Sequence, residues 1–134
     1  MAGYSGTALP RKLGIKEGHR IAILRRPDGL HNRLGELPDG VAVRDRLRGR
    51  HDVILFFVKR RAELERRIDR LVSALERGGA LWVAWPKRSS GLETDVTEDV
   101  VRDVALRRGL VDNKVCAIDD TWSGLRLVIR LENR

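Results

Sequence analysis

A chain of 134 residues with 42% hydrophobic residues predicts one domain, residues 1–134, with a core of its own, and excludes a disordered basic tail. Its 27 Lys and Arg against 19 Asp and Glu give a formal charge of +8, yet 4% aromatics leave little for a base-stacking surface. The single cysteine excludes a disulfide framework and any multi-cysteine metal site.

The first thirteen residues lack the apolar core of a signal peptide. A short helix is expected over Ala8 to Leu13, ended by Gly14. Arg20 to Leu24 reads as a buried strand. The stretch Arg25 to Gly40 holds Pro27, Asp28-Gly29, Gly35, Pro38 and Asp39-Gly40, which predicts a loop with at most one short helix. Val41-Ala42-Val43 suits a brief edge strand. Val53 to Val58 is the clearest strand, and its continuous apolar run suits burial on both faces of a parallel sheet. It is also the longest apolar run, far short of the roughly 20 residues of a membrane helix, so no membrane is expected and a cytoplasmic location is.

Arg61 to Glu76 turns helical, with Leu64, Ile68, Leu71, Val72 and Leu75 on one stripe and Glu63 and Arg67 as an i,i+4 pair. Gly78-Gly79 is expected to close that helix, and Ala80 to Trp85 to form a strand ended by Pro86. A second helix should start near Asp95, with Asp95 and Glu98 as a capping box and Val96, Val100 and Val104 on one face, and end at Gly109. Asn113 to Ile118 and Leu125 to Leu131 leave no room for a crossover, so they form an antiparallel hairpin. The order predicts an α/β protein: an open, mostly parallel Rossmann-like sheet with helices on both faces and a C-terminal hairpin.

Three segments carry a resemblance: Leu13-Gly14-Ile15-Lys16-Glu17-Gly18 before a strand, His51-Asp52-Val53-Ile54-Leu55, and Leu75 to Val83. They resemble class I S-adenosylmethionine-dependent methyltransferases, here truncated. Trp82 to Lys87, Asp95 to Arg102 and Asp112 to Leu125 look like a small bacterial family of unknown function, which implies a fold and no activity. The resemblance to methyltransferases implies a glycine-rich turn after the first strand, where backbone approaches the cofactor. Leu24 is instead followed by Arg25-Arg26-Pro27-Asp28-Gly29. Asp45 stands roughly where an acidic residue would hold ribose hydroxyls, but between Arg44 and Arg46 and without the glycine turn. On this reading the sequence speaks against S-adenosylmethionine.

In open α/β sheets, ligands bind beyond the carboxyl ends of the strands. Those ends run into positive charge here, at Arg25 and Arg26, then Arg44, then Lys59, Arg60 and Arg61, then Lys87 and Arg88. Lys59 to Arg61 also open a helix, whose first amides favour anions. Trp85 and Trp122 are candidates for a stacking platform, with Lys87 or Lys114 contacting a charged group. Arg44, Arg46, Arg48 and Arg50 alternate at period two, which in an extended segment gives a basic stripe able to follow a phosphodiester backbone. Residues 1–77 carry 18 cations and 10 carboxylates, and residues 78–134 nine of each, so the excess lies in the first half. Arginine-rich usage on exposed loops would also produce such clusters.

No catalytic constellation assembles. His19, His31 and His51 lack ligand spacing, no metal site is expected, and Cys116 sits in an apolar strand as a small core residue. The leading expectation is a non-catalytic, methyltransferase-like binding or regulatory domain, with a protein partner or a second copy of itself. The alternatives are an enzyme or sensor for a small anionic, nucleotide-type ligand at the basic strand ends, and a weak nucleic-acid binder through the arginine-rich half.

Overall fold

The computed structural model describes residues 8–134. Four strands run parallel: β1 (Arg20–Leu24), β2 (Ala42–Arg44), β3 (His51–Phe57) and β4 (Leu75–Pro86). β5 (Leu110–Ala117) and β6 (Trp122–Ile129) form the antiparallel hairpin, and β6 pairs with β4. The sheet order is therefore β2-β1-β3-β4-β6-β5. Helices α1 (Leu9–Leu13) and α2 (Leu30–Leu34) cover one face, and α3 (Arg61–Ser73) and α4 (Glu98–Leu106) the other. This is the mostly parallel α/β sheet expected from the alternation of periods.

The continuous apolar run of β3 has the cause inferred for it. Ile54, Phe56 and Val58 point into the layer of α3 and α4, while Val53, Leu55 and Phe57 point into the layer of α1 and α2. All six are 2% exposed or less, and each such burial contributes roughly 1.5–3 kcal/mol. The α1 layer is pinned by a buried hydrogen bond, in which the Trp82 indole Nε1 donates to the Leu13 carbonyl at 3.0 Å. Gly14 follows at φ 81°, the left-handed cap expected of it.

Several boundaries differ from the sequence expectation, among them the end of α4, at Leu106 rather than Gly109. The helix α3 stops at Ser73 rather than Glu76, because Leu75 leaves it to pair with His51 at the start of β4. Gly78 and Gly79 lie inside β4, where the β3–β4 register shifts. A Cβ on Gly79 would stand 2.9 Å from the Asp52 carbonyl oxygen and 3.1 Å from that of His51, so this irregularity requires glycine. Finally, Thr97 rather than Asp95 caps α4, its Oγ1 accepting the Val100 N–H at 3.2 Å. The buried face of α4 is Val101, Val104 and Ala105; Val96 is buried ahead of the helix and Val100 is only half-buried.

The hairpin is longer at its start than expected, since pairing begins at Leu110 and Trp122. Between β2 and β3 the chain returns to the opposite end of the sheet in six residues, 45–50. A parallel connection ordinarily needs a dozen or more residues and a helix. Six suffice because β2 is three residues long and lies at the sheet edge. This strap is not a strand: Arg44 alone of the four alternating arginines lies in β2, and Gly49 turns at φ 69°. The period-two stripe therefore has no common face, because Arg46, Arg48 and Arg50 lie on a bent segment.

Candidate functional site

The carboxyl ends of β1, β2 and β3 open on two adjoining clefts. The larger, about 490 Å³, lies between Arg25 and Arg26 on one side and Lys59 and Arg60 on the other, with Phe57 and Trp122 in its wall. The smaller, about 350 Å³, is bounded by Leu24, Arg25, Asp45, Leu47 and Arg70. Arg25 borders both, so the two clefts of this crevice meet at its side chain, across the end of β1. Among the described residues no group of acidic, histidine or cysteine side chains is arranged to hold a metal.

Arg25 is the one described non-glycine residue with positive φ, at 61°. That conformation costs an ordinary residue roughly 1–2 kcal/mol, and such strain concentrates at functional turns. Its guanidinium bonds to the Glu63 carboxylate on α3, which Arg67 also approaches at 3.5 Å. Glu63 is only 14% exposed, so the expected Glu63–Arg67 pair is present but has become a three-membered clamp.

The cations predicted at the start of α3 are largely engaged by the protein itself. Arg60 pairs with Glu93 at 3.0 Å, and Arg61 with Glu65 and Asp103 at 2.8 Å each. These two carboxylates hold the Arg61 guanidinium above its ordinary range. The first amide of the helix, Arg61 N–H, donates to Asp95 Oδ1 at 2.7 Å. The anion expected at this helix end is thus the chain's own carboxylate, carried there by a loop that also bonds Lys59 through Thr94. Arg26 and Lys59 make no ion pair with any described residue and remain the uncommitted cations of the larger cleft.

The two candidate tryptophans do not form one platform. Trp85 pairs in register with Ser123 and Pro86 with Trp122, so the pleat sends Trp85 and Trp122 to opposite faces. Trp122 packs edge-on against Phe57 with ring centroids 5.2 Å apart. Trp85 joins the α3–α4 layer and borders a separate cleft of about 460 Å³ with Leu92 and Val96. Lys87 borders neither cleft described; its backbone N–H donates to the Thr121 carbonyl at 2.7 Å. Cys116 is buried, which pushes its thiol up, in keeping with a core residue.

One residue of the crevice, Asp45, was placed by its spacing in the sequence, and one, Phe57, escaped the sequence reading. Asp45 is the first residue after β2, is exposed, and makes no hydrogen bond or ion pair with any described residue. Its flanking arginines do not neutralise it by contact. Phe57 in the cleft wall could have been found as the last residue of the strongest strand.

No family profile and no curated protein sequence matches the chain. Solved structures do resemble it. A putative type 11 methyltransferase from Sulfolobus solfataricus superposes with a TM-score of 0.61 at 14% identity, covering 97% of this chain and 94% of that one. The fold is methyltransferase-like. An S-adenosylmethionine-dependent methyltransferase from Aquifex aeolicus gives 0.58 at 14% identity over 90% of this chain and 87% of its own. Magnesium protoporphyrin IX methyltransferase from Synechocystis PCC 6803, with bound S-adenosylmethionine, gives 0.57 at 11% identity over 91% and 74%.

These neighbours overturn the expectation against S-adenosylmethionine, since the fold found here is one that holds it in a solved relative by shape. The turn after β1 was discounted for want of glycine. It keeps part of what glycine would give, its left-handed backbone conformation, while the Arg25 side chain remains beside it.

Proposed function

We propose that this domain binds an adenosyl amino acid, S-adenosylmethionine or its demethylated product, in the crevice over β1, β2 and β3. The observation that carries the reading is Asp45: a carboxylate leaving the sheet at the end of β2, uncommitted among the described residues, in a cleft shared with a strained turn. A ribose offers two adjacent hydroxyl donors, and a carboxylate accepts both. Arg26 and Lys59 supply cations for the carboxylate of the amino-acid end. The bound sulfonium form would supply an electrophilic methyl group.

What the chain's own groups offer favours binding over proton transfer. Glu63 is tied to Arg25 and Arg67, and the remaining polar lining of the larger cleft is cationic or indole. This supports a binding or regulatory role, with the ligand as signal.

The reading is tested by thermal shift with the demethylated product, comparing wild type with Asp45→Ala. Ligand at 100 times its dissociation constant stabilises the native state by about 2.7 kcal/mol. Losing hydrogen bonds to a charged acceptor costs roughly 1.5–3 kcal/mol, so Asp45→Ala should weaken binding on the order of 10- to 100-fold. No shift in the wild type, or equal shifts in both proteins, overturns the reading.

A further inference from the structure

The strap 45–50 carries Asp45, and its attachment is narrow. Among the described residues, its hydrogen bonds to the rest of the protein are both made by the backbone of Arg48. The Arg48 carbonyl accepts from the Arg20 guanidinium at 3.2 Å, and the Arg48 N–H donates to His51 Nε2 at 3.0 Å. Leu47 adds a partly buried apolar contact to the α3–α4 layer. The remaining strap residues are exposed.

His51 is the one buried polar or charged side chain among the described residues, at 1% exposure. Because Nε2 accepts a hydrogen bond, the neutral ring carries its proton on Nδ1. Nδ1 is buried with no partner. The ring is therefore not held for its own hydrogen-bond satisfaction; its engaged atom is the one that holds the strap.

We propose that His51 is a positioning residue: neutral, it locks the strap and so fixes Asp45 in the crevice, and protonated, it loosens the strap and weakens ligand binding. The proposal rests on the ligand reading above for its effect on binding, but not for the lock itself. A proton added to the ring goes to Nε2, the accepting atom. The imidazolium N–H then faces the Arg48 N–H, two donors head-on, and the bond is lost. Arg48 stands three residues from Asp45 in a segment with no secondary structure. Losing one of its two hydrogen bonds, with the Arg20 bond left, therefore loosens the carboxylate's position.

The charges around the ring come from four strands. Arg20 of β1 and Arg44 of β2 oppose the imidazolium, while Asp52 of β3 and Glu76 of β4 favour it. Burial acts with Arg20 and Arg44 and is the largest influence, so His51 titrates below its ordinary 6.5. The lock therefore holds at neutral pH and opens only as the pH falls below 6.5.

His51→Gln separates the lock from its titration, since a glutamine carbonyl can accept the Arg48 N–H without binding a proton. Binding of the demethylated S-adenosyl product is measured from neutral pH downward for as long as both proteins stay folded, so that the titration of the lowered His51 is covered. Wild-type affinity should fall by up to about tenfold per pH unit once His51 begins to protonate, and the Gln variant should stay flat over the same range. Equal pH profiles in the two proteins overturn the proposal. The Arg48 amide resonance of the wild type, without ligand, reads the lock directly. It should shift and lose exchange protection in step with the His51 ring; an Arg48 amide unchanged through that titration also overturns the proposal. A product that fails to bind at any pH refutes the ligand reading, and the Arg48 amide then decides the lock alone.

Discussion

Removing the Asp95 carboxylate by Asp95→Ala should cost about 1 kcal/mol of stability. Asp95 sits 34 residues from Arg61 in sequence, yet its Oδ1 accepts the first amide of α3 at 2.7 Å. Loss of a side-chain acceptor at a helix start costs about 0.5–2 kcal/mol, typically about 1. Its charge at the positive end of the helix contributes roughly 0.3–1 kcal/mol within the same contact, exposed as Asp95 is, so the two overlap. The rest of the loop stays tied through Thr94 Oγ1 to the Lys59 carbonyl at 2.7 Å and through Glu93 to Arg60 at 3.0 Å, which limits the damage to one amide. In a domain of this size 1 kcal/mol moves Tm by roughly 3–6 °C. Urea unfolding and thermal melts of wild type, Asp95→Ala and Asp95→Asn provide the assay. The Asn variant keeps an acceptor and should recover more than half of the loss. An Ala variant within about 0.3 kcal/mol of wild type would refute the claim that the chain fills this helix end itself.

Arg25→Gly and Arg25→Ala both remove the Glu63 ion pair, but only glycine relieves φ 61°, so the Gly variant should be more stable than the Ala variant by about 1 kcal/mol in urea. Equal stabilities would mean the turn carries no strain. His51, lowered in the native state, gives a pH dependence of definite sign: above 6.5 the ring is neutral in both states and stability is full. Below 6.5 the unfolded chain takes the proton first, so stability falls as pH drops toward the lower native value, by at most about 1.4 kcal/mol per unit. Denaturant midpoints of wild type and His51→Gln between those limits should diverge; parallel curves count against it.

The sheet was legible because its signals are periodic. The run Val53 to Val58 could be satisfied only by two covered faces, and a six-residue gap between two apolar segments only by a hairpin. What resisted reading was long-range pairing. Asp95 and Glu98 have capping-box spacing, but Asp95 serves another helix, which no local pattern encodes. Gly78-Gly79 looks like a helix stop, yet Gly79 is fixed by carbonyls of a neighbouring strand. The cations at the strand ends were visible, but their partners Glu63, Glu93 and Asp103 arrive from α3, the loop before α4, and α4 itself. Trp85 and Trp122 come from neighbouring strand-end and hairpin regions, and the pleat sends them to opposite faces. Asp45 could be located by its spacing, but it gains weight only from a β1 turn whose conformation the residue names conceal.

The central claim, an adenosyl amino acid in the crevice over β1 to β3, is tested most directly by amide chemical shifts on titration with the demethylated S-adenosyl product. The account predicts saturable shifts clustered at Arg25, Arg26, Asp45, Leu47 and Lys59, lost in Asp45→Ala. Shifts centred instead on the separate cleft at Trp85 and Leu92, or none at millimolar ligand, would contradict it.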